Sequence, residues 1–361
     1  MKDKNIRIID IAIKAKVSAG TVDRVLHNRG KVSAKVQEKV LTIIKEMGYE
    51  PNMMARALGS KKTYRIAALI PDEVYDPYWY GPTAGVLEAE KSLNQYGLAV
   101  QTYLFNPDKV SSFVEKAAAA TASSPDGILL SPIFYREALP FFEQWKEQAI
   151  PFVLINTQIS EVDPLSYIGQ DSYKSGCLAA KLIQYGQPDP CAILIAHFNE
   201  ELSNSAHLEK KEQGFRDYFT ENNFQQSYQL VKAEFIRSDA AAFTIQMDQI
   251  IAQHPNLKGI FVSTSKTYKI AAYFEQRNIH HIKLVGYDLI PKNLHFLANN
   301  FISFLINQNP KGQGYWGLHT LADHLIFKKE VNKVKYLPLD VVTKENVIYF
   351  TEEQPDVNIF S

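Results

Sequence analysis

Two rhythms of apolar residues divide the chain. Over the first sixty residues they recur at helical spacing: Ile8, Ile11, Ala12 and Ala15, then Val22, Val25 and Leu26, then Val36, Val40, Ile43, Ile44 and Met47. Polar punctuation falls where such helices would start and stop. Ser18 is placed to cap the second run through Thr21, Ser33 to cap the third, and Gly48 to close it. Two short helices joined by a tight turn at Lys16-Val17, backed by a third, predict a helix-turn-helix. Pro51-Asn52 then opens one more short helical run, MMARALGSKKT.

From Tyr64 the rhythm changes to short apolar strands alternating with amphipathic helices. The strands read RIAALIP, LAVQTYLF, DGILLSP, PFVLINT, CAILIAHF, YQLVKAEF, KGIFVSTS and IKLVGYD, and between them lie helices such as SFVEKAAAATAS. Repeated strand–helix units predict parallel sheets covered by helices on both faces. Eight such strands exceed one comfortable sheet, so two lobes are expected. The fold class is α/β: an N-terminal three-helix domain over residues 1–50, a short helix and linker over 51–63, a two-lobed core of parallel sheets over 64–345, and a tail over 346–361.

Charge sharpens this division. The 361 residues are formally neutral, but residues 1–62 hold fourteen Lys and Arg against six Asp and Glu, a net of +8, and the remainder carries −8. A basic module joined to an acidic body implies that one end meets a polyanion. The sequence has no apolar run long enough for a membrane span, and the charged start MKDKNIRIID does not read as a secretory signal. Two cysteines, Cys177 and Cys191, define no disulfide framework, and a cytoplasmic location is expected.

The stretch IIDIAIKAKVSAGTVDRVLHNRGKVSAKVQEKVLTIIKEMGYEPNMMARAL resembles the DNA-binding headpiece of the LacI/GalR family of bacterial transcription regulators. Asp10-Ile11-Ala12, Val17-Ser18, Thr21-Val22, Arg24-Val25-Leu26, Gly48-Tyr49, Pro51-Asn52 and Ala55-Arg56 all fall at the family's spacing. The resemblance implies that the helix after Ser18 enters the major groove of a pseudo-palindromic operator and that two copies bind as a homodimer, a tetramer being left open. Ser18, Thr21 and Arg24 would hold phosphates or bases. Ala19 and Gly20 stand where discriminating side chains are usual, and Asp23 where a small neutral residue is common. Asn52, Ala55, Arg56 and Leu58 would belong to a hinge helix that forms on DNA, with Leu58 as an apolar wedge in the minor groove.

Residues 64–345 resemble the family's sugar-binding-protein-like core, with traces in DPYW, Gly214-Phe215, VGYD and NQNPKGQG. A cleft is expected at the C-terminal ends of the strands. Candidates for it are Asp76, Tyr78 and Trp79 after the first strand, Asn156, Phe235, Thr264 and Asp288 at later strand ends, and Gln308. Asp288 and Gln308 are expected from opposite sides of the cleft. Carboxylates and amides suit paired sugar hydroxyls, and aromatic faces cover the C–H surface of a sugar ring. Lys211 sits where the family typically uses an arginine, and Ser265 replaces an expected acid. Lysine lacks arginine's planar fork, which leaves open a ligand other than a plain sugar.

Other chemistries fit poorly. GQGYWG, Gly312 to Gly317, has the form of a dinucleotide loop but follows the last strand instead of the first. His280-His281 lacks spaced partners for a metal, and Cys177 reads as a small hydrophobe in an amphipathic helix. The expected function is a sequence-specific transcription regulator, a repressor without cofactor or metal, controlled by a small carbohydrate-like effector. The alternative is a solute receptor or sugar-acting enzyme with an accessory basic segment.

Overall fold

The helical spacing of the first apolar residues closes three helices around one small core. In a computed structural model that describes residues 6–26, 29–49, 53–59, 62–159, 161–188, 190–198, 206–236 and 239–351, these are α1 (Ile8–Ala15), α2 (Ala19–Leu26) and α3 (Ala34–Met47). Ile11, Ala12, Ala15, Val22, Val25, Val40 and Ile43 are buried together, with Ile8, Leu26, Val36, Ile44 and Met47 packed at the edge. Lys16 and Gly48 end α1 and α3 in the left-handed region, each returning its N–H to carbonyls of the last turn. Ser33 takes the cap position of α3 without a side-chain cap bond. One compact unit ends at Arg56 and a second begins at Ala57, a division that falls within α4 (Met53–Leu58).

The second unit holds two six-stranded sheets. The first contains β1 (Tyr64–Pro71), β2 (Leu98–Phe105), β3 (Gly127–Leu130), β4 (Phe152–Ile155), β5 (Ser166–Gly169) and β11 (Val334–Tyr336), in the order β11-β5-β4-β3-β1-β2. The second contains β6 (Cys191–Phe198), β7 (Tyr228–Phe235), β8 (Leu257–Val262), β9 (Lys283–Tyr287), β10 (Phe304–Asn307) and β12 (Asp340–Val342), in the order β12-β10-β9-β8-β6-β7. All pairings are parallel except that of β10 with β12. The alternation of side chains explains the two-faced burial. Along β6, Ala192, Leu194 and Ala196 join one core and Ile193 and Ile195 another. The carboxy-terminal core reaches past residue 345, since Val347 is buried in it and Phe350 packs against it.

Two helices exchange lobes. After β5 the chain crosses to form α8 (Ser172–Gln184), which packs beside α9 (Ala206–Glu221) on the second sheet; after β10 it crosses back to form α13 (Pro310–Leu325), beside α5 (Tyr80–Leu93) on the first. Glycine permits both close helix pairs. A Cβ on Gly85 would lie 1.9 Å from the Lys311 carbonyl oxygen, and one on Gly176 would lie 1.9 Å from that of Lys211. This accounts for GQGYWG: Gly314 faces the Pro82 carbonyl of α5 and Gly317 faces Leu129 of β3, so the glycines serve helix packing. A third crossing joins β11 to β12. No helix among the described residues is long and apolar enough to cross a membrane.

Candidate functional site

The candidate recognition surface lies on α2. Ser18 caps it as expected: its Oγ accepts from the Thr21 N–H at 3.1 Å and lies 2.9 Å from the Thr21 hydroxyl. Ser18, Ala19, Gly20 and Arg24 are exposed, while Val22 and Val25 anchor the opposite face. Arg24 folds back along its own helix, its Nε donating to the Gly20 carbonyl at 3.0 Å. Asp23 is half-buried and lies near Tyr49, whose phenol is raised first by burial and then by the Asp23 charge. A Cβ on Gly20 would meet nothing closer than Ser18 Oγ at 3.8 Å, so packing within the headpiece does not require glycine there. On α4, Leu58 is 55% exposed; Ala55 and Arg56 lie on the same helix, and Asn52 falls outside the described residues.

The cleft lies where the strands of the two sheets end. Asp76 is fixed by a local turn: Oδ1 accepts from the Tyr78 N–H at 3.2 Å, with Pro77 opening a single 3-10 turn through Trp79. Tyr78 is thereby carried inward, where its hydroxyl accepts from Asn156 Nδ2 at 2.9 Å and Gln313 Nε2 at 3.3 Å. Burial, then the Asp288 charge, raises its phenol well above the ordinary value. Trp79 packs edge-on to Tyr78, with centroids 4.8 Å apart.

On the second lobe, the Gln308 side chain gathers the polar groups. Its Nε2 donates to both carboxylate oxygens of Asp288, and its Oε1 accepts from Lys211 Nζ at 3.2 Å and from Gln170 Nε2. Lys211 also donates to the Ser263 carbonyl at 3.1 Å and stands 3.7 Å from the centre of the Tyr287 ring. Burial drives the Asp288 carboxyl up to about 7, against the opposing pull of Lys211 and the Gln308 amide. Thr264 shapes the neighbouring turn: its Oγ1 accepts from the Lys266 N–H at 3.3 Å. That turn aims Lys266 across the cleft, where its Nζ meets Asp76 Oδ2 at 2.5 Å. A second bridge between the lobes joins Thr157 Oγ1 to His207 Nδ1 at 3.2 Å. Burial, followed by the Lys211 charge, depresses the His207 imidazole to about 3, so this contact is made by a neutral ring.

Two expectations are corrected. Asp288 and Gln308 do not face one another from opposite lobes: β9 and β10 are paired neighbours, and the two side chains bond directly. Phe235 does not join the polar cleft network. Its ring packs against Phe198 and Phe243 in the core, because the end of β7 turns that face toward α10 (Ala240–Gln253). The structure brings together Asp76, Tyr78, Asn156, Lys211, Asp288 and Gln308, and adds Lys266, Gln170, Gln313 and His207. Gln170 carried a legible signal. It precedes the helix-capping Asp171 just as Gln308 precedes the helix-capping Asn309, so the two lobe crossings repeat one strand–Gln–cap–helix pattern.

A second cluster supports this wall from behind. His197 Nδ1 lies 2.9 Å from Ser263 Oγ and its Nε2 2.8 Å from Glu212 Oε2. Hydrogen bonding from His197, with further help from Arg216 and Lys232, holds the Glu212 carboxyl down at about 2 despite burial. Ser263 therefore receives His197 at its hydroxyl and Lys211 at its carbonyl, which ties α9 to the end of β8.

Comparison with known proteins follows the same two-part division. Residues 7–52 match the model of the bacterial regulatory proteins of the lacI family, and residues 66–329 match a periplasmic binding protein domain. The chain is 28% identical over 348 residues to the ribose operon repressor of Halalkalibacterium halodurans, covering 94% of this chain and 96% of that one. It is 27% identical over 350 residues to the sucrose operon repressor of Streptococcus mutans, covering 94% and 99%. A crystal structure described as a LacI transcriptional regulator from Bacteroides fragilis superposes with a TM-score of 0.71 at 31% identity, over 80% of this chain and 99% of that one. A glucose-galactose binding protein from Geobacillus stearothermophilus shares the core fold, with a TM-score of 0.69 at 20% identity. With a helix-turn-helix headpiece joined to a two-lobed binding core, the chain belongs to the LacI family of DNA-binding transcription regulators.

Proposed function

We propose that this regulator is an operator-binding repressor, acting as a homodimer, whose DNA affinity is set by a carbohydrate effector held between its two lobes. The observation that carries the effector assignment is the set of unmatched acceptors around the crossings. Gln170 Oε1 and Gln313 Oε1 are buried without a hydrogen-bond donor, although the Nε2 groups of both residues are engaged. Buried acceptors call for donors. A ring bearing several hydroxyls offers donors on more than one edge, while its C–H face suits the buried pair Tyr78 and Trp79. The repressors of ribose and sucrose operons among the relatives favour the same chemistry.

Coupling follows from position. Gln170 and Gln308 occupy two of the crossings, so a ligand that bonds to them alters the segments through which one lobe turns on the other. It can shift DNA affinity only by binding the open and closed forms unequally, and DNA must then change its affinity by the same factor.

Binding of the full-length protein to pseudo-palindromic duplexes, read by fluorescence anisotropy over a salt series and with a panel of sugars, tests this reading. Affinity is expected to fall steeply with salt, as the +8 segment displaces counterions, and to change when one sugar is added. Salt-independent binding to every duplex would overturn the DNA-binding part. Operator binding that no sugar alters would overturn the effector part.

A further inference from the structure

The lobes are joined by an ion pair of the protein's own. Lys266 Nζ, from the carboxy-terminal lobe, meets Asp76 Oδ2, from the amino-terminal lobe, at 2.5 Å. Among the described residues, the other charges of this network, Lys211 and Asp288, both belong to the carboxy-terminal lobe. When the lobes separate, Asp76 leaves with its own sheet, and the opposite wall keeps two lysines against one carboxyl. Burial also raises that carboxyl's affinity for a proton, which weakens it as a counter-charge. Lys211 keeps its partners through such a motion, because the Ser263 carbonyl and Gln308 amide oxygen travel with it. Lys266 is thus the cation whose counter-charge depends on the state of the cleft.

The two partners differ in their access to water. The Lys266 side chain is 4% exposed and that of Asp76 is 15% exposed. A displaced Asp76 can recover hydration, and its Oδ1 remains engaged as the cap of its own turn. Lys266 has no second anchor of that kind among the described residues, and where a ligand fills the space that Asp76 leaves, a desolvated ammonium without a partner is strongly disfavoured. A neutral ligand that entered between them would separate the charges and offer Lys266 only dipoles.

We propose that the effector is an anionic sugar, a polyhydroxylated ring bearing a carboxylate or phosphate, and that its acidic group takes the place of Asp76 on Lys266. Asp76 is then a tethered acid that holds the ligand's anion position on Lys266. The inference rests on the carbohydrate reading above and adds the charge. It also assigns specificity to Lys266, which no feature of the sequence marked.

Calorimetric titration of the full-length protein separates the cases. The probes are glucuronate and galacturonate, the glucose and galactose from which they derive, and the hexose 6-phosphates. A carboxylate or phosphate form is expected to bind at least about tenfold more tightly than its neutral parent, the worth of one charge-assisted contact. Tight binding of the uronates or of the phosphates identifies which acid it is. Lys266→Gln should reduce that ratio toward one. Asp76→Asn, which retains an oxygen to cap the turn, should tighten the acid form by removing its competitor. Neutral sugars that bind as tightly as their acids would overturn this proposal and leave the carbohydrate reading standing. Failure of every sugar, neutral and acidic, would overturn both. Because the ratio is measured first on the unaltered chain, a variant that fails to fold does not rescue the proposal.

Discussion

Gln308 donates through one side-chain nitrogen to both carboxylate oxygens of Asp288, at 2.9 and 2.8 Å. This ties the end of β9 to the segment by which the chain leaves for the other lobe. Asp288 itself adopts a left-handed backbone conformation, with φ of 69°, and its carbonyl accepts from Asn293 Nδ2 at 3.0 Å. A ligand that competes for the Asp288 carboxyl therefore acts on the crossing as well as on the pocket wall.

Substitution Asp288→Ala should weaken the effector's binding by about tenfold to hundredfold, the worth of one buried charge-assisted hydrogen bond. DNA binding without effector should remain near that of the parent. The competing expectation is a structural one, in which loss of the Gln308 bond destabilises the lobe and lowers both activities together. Melting curves alongside titrations of Asp288→Ala and Asp288→Asn distinguish them. A folded variant with unchanged effector affinity would remove Asp288 from the ligand's contacts.

The same carboxyl predicts a pH dependence. Its value rises from the ordinary 3.8 in an unfolded chain to about 7 in the folded one, chiefly through burial. A raised value means that the folded state binds the proton more tightly. The stabilisation is complete below the unfolded value and is lost as pH rises through the folded value. Between pH 5 and 8 the protein should lose on the order of 2 kcal/mol from this group. Asp288→Asn cannot ionise, so its melting temperature relative to the parent should climb over that interval. Parallel melting profiles for the two proteins would contradict the assignment.

What the sequence conveyed about these groups follows from what periodicity can carry. The apolar spacing of Ile11, Val22 and Val40 placed the headpiece core, and long runs such as CAILIAHF marked the buried strands. Missed strands were short: β5 reads Ser-Tyr-Ile-Gly, β10 reads Phe-Leu-Ile-Asn, and β11 and β12 have three residues each. Asp76, Asn156 and Gln308 were legible as polar residues at strand ends. Lys266 was not, because a lysine in a turn ordinarily points to solvent, and its partner lies 190 positions away. Phe235 misled for a related reason. Residue order locates a strand end, but the helix packed on that face decides whether the ring meets cleft or core, and here Phe243 of α10 takes it.

Gly20 offers a test in which fold and recognition respond in opposite directions. A Cβ there has open space, with Ser18 Oγ at 3.8 Å as its nearest contact. Alanine is the better helix former, so Gly20→Ala should leave the headpiece folded and stabilise it by up to about 1 kcal/mol. If the glycine serves close approach of α2 to DNA, the same methyl group should weaken operator binding. A variant that is both more stable and an equal or better binder would assign Gly20 no such role.

Leu58 supplies the last prediction. Its side chain is 55% exposed on a six-residue helix, beside a buried Ala57. A helix this short is marginal in water without contacts to hold it. Exposure of a leucine at the end of such an element costs little by itself, but it leaves a large apolar group free to enter DNA. As a wedge between base steps it would offset the cost of unstacking and support a bend toward the major groove. Leu58→Ala should therefore weaken specific operator binding by roughly 1–3 kcal/mol, with less effect on non-specific DNA, which is not bent. It should leave effector affinity and the melting temperature of the core unchanged, since the side chain contributes little burial there. The measurement pairs a bending assay on operator fragments with affinities for operator and random duplexes. If the alanine variant bends and binds the operator as the parent does, Leu58 is not the wedge, and the recognition energy must reside in α2.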